Sequence, residues 1–159
     1  MNNNFAKSSH EIKDILNLKT SPVAVYLLKN DEDKKNFSEW EHSSGSRYCQ
    51  TLMKARHGQS LVMDGGDFAC PASCRAFGFK NLPAPLQSGA GLIGFGIVNN
   101  QDTGRIMFEG MTYLNMNQID LIAICPLEHA PKMPDVIVIE GQVEQLVLIQ
   151  QSSLMSKIK

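Results

Sequence analysis

Residues 5–17, FAKSSHEIKDILN, place Ile12, Ile15 and Leu16 at i, i+3 and i+4, one face of a 3.6-residue period, and predict a first helix. The pattern then changes. SPVAVYLLK sets Pro22 ahead of a continuous apolar, β-branched run, which predicts a strand buried on both faces. Residues 29–45 are polar and charged apart from Phe37 and Trp40, and read as a surface connection. GSRYCQTLMKARHGQ predicts a helix capped by Ser46 and ended by Gly58. SLVMDGGDF predicts a strand, a tight Asp-Gly-Gly-Asp turn and a return. CPASCRAFGF predicts a short helix with Pro71 in its first position and Gly78 after it.

NLPAPLQSGAGLIGFGIV reads as a loop leading into a short apolar segment, Leu92 to Val98. Residues 100–109 predict a helix with Asn100 as cap and Gly110 as stop, although Gly104 weakens it. QIDLIAICP and PDVIVIEG are two further strands, each closed by Pro or Gly. QVEQLVLIQQSSLMSKI predicts a closing helix with Val143, Leu146, Val147 and Ile149–Gln150 along one face. Strands alternate with helices, so the expected class is α/β or α+β, a mixed, mostly internal sheet with flanking helices. No repeat or boundary divides the chain, so residues 1–159 are expected to form one domain.

Composition narrows the function. The chain is 43% hydrophobic and 19% charged with a net charge of −1, which fits a soluble globular protein. No basic run is longer than Lys34-Lys35, so a phosphate-backbone footprint is missing and nucleic acid is not an expected partner. The start, MNNNFAKSSHE, has no apolar core of a signal peptide, and VAVYLL and LIAIC are too short to span a bilayer. A cytoplasmic address without membrane association is therefore expected. There disulfides are rare, which turns attention to the four cysteines as free, metal-bound or redox-active groups.

With Pro71 first in its helix, Cys70 is the N-cap and Cys74 lies one turn on, on the same face. Unpaired N–H groups at a helix start favour negative charge and lower a thiol's pKa. Cys49, counted from Ser46, is the third residue of its helix. Cys125 leaves a buried strand just before Pro126, where α/β folds gather ligand sites. The Cys-x3-Cys spacing falls within that of zinc sites, and iron–sulfur clusters also use four thiolates. The bland alternative is that free cysteine packs as a small hydrophobe, which suits Cys125 best.

Other candidates are weaker. Gly89, Gly91 and Gly94 spell G-x-G-x-x-G, but a loop precedes them where the dinucleotide fingerprint needs a strand, so a flexible connector is expected. His10, His42, His57 and His129 are scattered, and Glu128 reads as a base or as polar surface. Arg47, Arg56 and Arg75 flank the cysteine helices, where they hold an anionic ligand, neutralise thiolates, or simply charge the surface. Met107 and Met111, four apart, read as core filling.

LKTSPVAVYLL, RYCQTLMKARHGQSLVMD, CPASCRAFGF and CPLEHAPKMPDVIVIEGQVEQ follow one another in an order and spacing that resembles the DUF169 family, also called the uncharacterised ArCR family, over roughly residues 11–150. The resemblance implies family positions at Cys49, at Cys70-Pro71 with Gly78-Phe79, and at Pro126, Leu127 and Glu128 with Pro134 and Asp135. Cys74 and Cys125 fall at positions the resemblance does not make general. Family members run on past the last helix, so this chain is expected to lack a C-terminal segment, and an exposed sheet edge would then favour a homo-oligomer. The leading expectation is a metal- or iron–sulfur-binding protein, with Cys49, Cys70 and Cys74 as ligands of a cluster or zinc and Cys125 as a fourth. Its role would be electron transfer or redox-linked cofactor handling with a redox partner. Two alternatives stand beside it: a non-catalytic module binding a small anionic molecule through Arg47 and Arg75, and a thiol-redox protein using Cys70 and Cys74.

Overall fold

The computed structural model describes the backbone of residues 3–156 and the side chains of residues 4–151. Its sheet includes β1 (Val23–Leu28), the strand that the VAVYLL run predicts. β1 pairs antiparallel with β4 (Leu121–Pro126) on one side and with β5 (Val136–Val138) on the other. β3 (Leu61–Met63) runs antiparallel to β4, and the two-residue β2 (Glu41–His42) adds in parallel to β3. The order β2-β3-β4-β1-β5 makes one mixed sheet with helices packed on it, an α/β domain.

Successive side chains of a strand point to opposite faces, so β1 and β4 feed two cores. Ala24, Tyr26 and Leu28 join Ala123, Cys125 and Val62 on one face, packed by Phe5 and Ile12 of α1 (Asn3–Leu16) and by Phe37. Val23, Val25, Ile122, Ile124 and Met63 line the other face, packed by Tyr48, Leu52 and Ala55 of α3 (Tyr48–Arg56) and by Phe68, Phe77 and Phe79. Burying each of the larger aliphatic side chains contributes roughly 1.5–3 kcal/mol, which makes β1 and β4 the strands that hold the fold.

Several expectations shift at this level. α1 buries Ser9 and Leu16 and packs Phe5 and Ile12 inward, while Ile15 points to solvent: the buried stripe runs i, i+4, i+7, i+11. The connection 29–45 carries α2 (Asp31–Lys34), a 3-10 turn (Lys35–Phe37) and β2, and buries Phe37 against Tyr26 with ring centroids 4.8 Å apart. α3 starts one residue later than expected. Arg47 takes the N-cap position and donates its N–H to Gln50 Oε1 at 2.9 Å, because Ser46 is engaged in a parallel bridge with Phe68. The turn after β3 therefore leads to that bridge and not to a hairpin return. α4 (Pro71–Ala76) forms as predicted, with Cys70 as N-cap and Gly78 at φ +73°.

Residues 83–98 depart furthest from expectation, while the helix predicted over 100–109 forms between the Asn100 cap and Gly110. The predicted loop holds α5 (Ala84–Gln87) and α6 (Ala90–Gly94), which pack with α7 (Gln101–Glu109). Asn100 caps α7 through Oδ1, which accepts Thr103 N–H at 2.9 Å. Gly89, at φ +84°, and Gly104 meet backbone to backbone: a Cβ at Gly104 would lie 2.6 Å from Gly89 O. Met107 faces solvent and does not fill a core. α8 (Val143–Ser156) closes the described chain, with Val143, Leu146 and Val147 exposed; the last residues of that predicted helix, 157–158, lie outside the described residues.

Candidate functional site

The Ser46–Phe68 bridge builds the site. Ser46 N–H donates to Asp67 O at 3.1 Å and Ala69 N–H to Ser46 O at 3.0 Å, which runs the segments before α3 and α4 side by side. Each then reaches its helix: one presents Arg47, the other Cys70. The segment before α3 is pinned from below, since Thr51 Oγ1 donates to Ser43 Oγ at 2.9 Å and Lys54 Nζ to Ser43 Oγ and Ser46 Oγ at 3.3 Å each. α4 is seated by aromatic rings, with Phe77 4.8 Å from Tyr48 and Phe68 5.5 Å from Phe79 by centroid.

Cys70 is half-buried and Cys74, one turn on, is buried. Their environments oppose one another. At Cys70 burial pushes the thiol up, but the Ser73 hydroxyl, the N–H groups of Ser73 and Ala72 and the Arg47 charge together outweigh it, and the net shift is down. These groups act as dipoles near the sulfur; no side-chain cap hydrogen bond forms there, and Ser73 Oγ itself donates to Cys70 O at 3.2 Å. At Cys74 burial dominates and raises the thiol, Cys70 adds to the rise, and Lys80 only partly offsets it. The Cys74 thiol points to Gly65 O at 3.9 Å.

The other expected members stand apart. Cys49 is the second residue of α3 and exposed. Cys125 lies opposite Ala24 on the sheet face packed by α1, whereas α3 and α4 pack on the other face. The sheet itself separates it from the remaining thiols, because a strand residue can serve only one face. Burial, with the nearby Glu128 charge, pushes the Cys125 thiol up to about 12, the environment of a core residue. Among the described residues, one trio of Cys, His, Asp or Glu offers ligand atoms within 4.8 Å of one another, His42, Asp64 and Asp67, and it contains no cysteine. Arg47 sits close enough to act on Cys70, but Arg75 does not join it. The Arg75 guanidinium stacks over the Tyr113 ring at 3.6 Å, and its Nη1 donates to Leu114 O at 3.4 Å.

Sequence reasoning passed over the buried carboxylate of Asp67. It accepts from His42 Nδ1 at 2.7 Å, from Asp64 N–H at 2.9 Å and from the Ser44 hydroxyl. Burial works against its charge, yet these donors hold its carboxyl below the usual range. The Asp-Gly-Gly-Asp turn was the available signal; its partners, 23 and 25 residues away, were not. Glu128 is a clamp. Ser9 and Ser21 hydroxyls donate to it at 2.7 and 2.6 Å, joining α1 to the end of β4.

An α/β domain with a five-stranded mixed sheet, carrying a half-buried thiol and a buried one at the head of a short helix, is the class the coordinates define. The chain belongs to the DUF169 family, described as uncharacterised ArCR, which it matches over residues 11–158. No curated protein and no solved structure matches it. Among the described residues no helix is long and apolar enough to cross a membrane.

Proposed function

We propose that this protein is a dithiol–disulfide exchange protein, with Cys70 as the attacking thiol and Cys74 as the resolving one. The supporting observation is the contrast within one helical turn: Cys70 is accessible and shifted down, Cys74 is enclosed and shifted up. A thiolate is the nucleophile in exchange, so the lower thiol attacks first. The Cys70 thiolate attacks one sulfur of a partner disulfide, forming a mixed disulfide and releasing the partner's other sulfur as thiolate. Cys74 then loses its proton and attacks Cys70 Sγ. A Cys70–Cys74 disulfide forms and the partner leaves with both sulfurs reduced, two electrons and two protons having passed to it.

Spacing allows this. Cys70, the N-cap, accepts from Cys74 N–H at 3.0 Å, so the two residues close a single turn, and the Cys70 charge acts on the Cys74 thiol. A structural zinc takes four ligands, and Cys70 with Cys74 supplies two, so the pair suits exchange better than a metal. In a cytoplasmic setting the resting form is the dithiol.

The test is equilibration in glutathione buffers followed by mass spectrometry of alkylated peptides. An internal Cys70–Cys74 disulfide is expected in wild type, and a trapped mixed disulfide on Cys70 in Cys74→Ser. Alkylation of Cys70 in that variant should show an apparent pKa below the ordinary ~8.5. Absence of the internal disulfide at every poise, or a Cys70 pKa at or above the ordinary value, overturns the proposal.

A further inference from the structure

A second site lies where the 31–42 segment crosses the sheet face. Phe37 is buried there, edge-on to Trp40 with centroids 4.9 Å apart. In front of these rings is an open cavity of about 280 Å³, walled on its apolar side by Phe37, Trp40, Val62 and Leu121. An apolar cavity of roughly 150 Å³ holds a benzene molecule, so this one has room for a single ring with substituents and is at the small end of ligand sites.

The rim is polar, and its charges do not cancel. Asp31, Lys34 and Lys35 contribute to it. Lys34 pairs with Asp31 at 3.2 Å and with Asp120 at 2.9 Å. Lys35 makes no ion pair among the described residues, which leaves a positive charge for an anionic group. His42 also lines the cavity. Its Nδ1 lies 2.7 Å from Oδ2 of the buried Asp67, and a carboxylate accepts, so Nδ1 is the donor of this pair. In that tautomer Nε2 is left to accept from a ligand, with no partner among the described residues. A flat apolar wall, one available cation and one held acceptor are three complementary demands on a ligand.

We propose that this cavity binds a single-ring aromatic acid bearing a ring hydroxyl: the ring lies against Trp40, the carboxylate faces Lys35, and the hydroxyl donates to His42 Nε2, which Asp67 holds in place. A clasp that only tied β2 to the loop after β3 would give no preference among ligands, and that separates the two roles.

Trp40 is the chain's one tryptophan, so its emission reports on this cavity directly. The full chain is titrated with 4-hydroxybenzoate, benzoate, cyclohexanecarboxylate and inorganic phosphate. A saturable change is expected with 4-hydroxybenzoate, and benzoate should bind about fivefold to tenfold more weakly for want of one hydrogen bond. His42→Ala should no longer distinguish these two acids. Lys35→Gln should weaken both about twofold to fivefold, the range of a single exposed ion pair. Because His42→Ala also removes the clasp, the ¹⁵N resonance of His42 Nε2 in the unaltered protein gives a second readout. It should move with 4-hydroxybenzoate and not with cyclohexanecarboxylate. A linear emission change, an equal response to phosphate, discrimination retained in His42→Ala, or an unmoved Nε2 resonance overturns the proposal.

Discussion

Cys70, Cys74 and Cys125 show how far surroundings set the chemistry of one side chain. Cys70 is shifted down beside dipoles and Arg47, Cys74 is shifted up by burial one turn away, and Cys125 is pushed up to about 12 inside the sheet. The last has a measurable consequence. An unfolded thiol ionises near ~8.5, while folded Cys125 keeps its proton, so its contribution is complete below that pH and declines as pH rises toward 12. Between pH 8 and 10 this one group should remove about 2 kcal/mol of stability. Urea unfolding at those two pH values should show Cys125→Ala losing less than wild type over the interval. Parallel losses would mean the thiol is not sealed in the core. Tyr26, raised chiefly by the same burial, ionises later even when unfolded, while Cys74, also raised, titrates in this window in both proteins and cancels in the comparison.

Among the elements, the packing of α6 against α7 explains a glycine that the helix pattern disfavours. Gly104 sits inside α7, where alanine is ordinarily better by roughly 0.5–1 kcal/mol. Here the added Cβ would lie 2.6 Å from Gly89 O, and backbone cannot swing aside as a side-chain end can. The clash outweighs the propensity gain, so Gly104→Ala should loosen α6 from α7 in place of strengthening the helix. Hydrogen exchange in residues 83–110 should rise several-fold in the variant while β1 and β4 amides stay protected, since few side chains of that region join either core. Unchanged exchange there would show that the two helices do not depend on the close approach.

Over the whole molecule, the two faces of the sheet are closed by elements distant in sequence, and Glu128 ties one of them in. Ser9 and Ser21 donate to its carboxylate across 119 and 107 residues of separation. Burial opposes the charge, but these hydroxyls, its own backbone N–H and Lys13 hold the carboxyl below its usual range. A depressed carboxyl contributes stability above the unfolded value near ~4.3 and loses it as pH falls through the folded value. Glu128→Gln should therefore destabilise the fold at pH 7 by about 1–3 kcal/mol, the cost of weakened charge-assisted hydrogen bonds, with the gap to wild type closing below pH 4. Chemical unfolding across pH 3–7 checks this, and a gap constant with pH would assign the effect to shape and not to charge.

The sequence alone determined what depends on neighbouring residues. Continuous apolar runs fixed β1 and β4 as strands buried on both faces, and the order of residues around Pro71 and Gly78 fixed α4 with Cys70 at its head. Asn100 fixed the start of α7. In each case the deciding interactions span a few residues. Tertiary structure decided which groups meet. Cys125 and Cys70 looked alike as thiols at element ends, yet strand alternation put the first on the α1 face, away from α3 and α4. Arg47 met Cys70 because Ser46 bridges Phe68, while Tyr113 drew Arg75 elsewhere. His42 found Asp67 for the same kind of reason. Side-chain periodicity records which face a residue presents but not what another segment brings to that face, because pairing and packing across the chain are set only when the whole sheet closes.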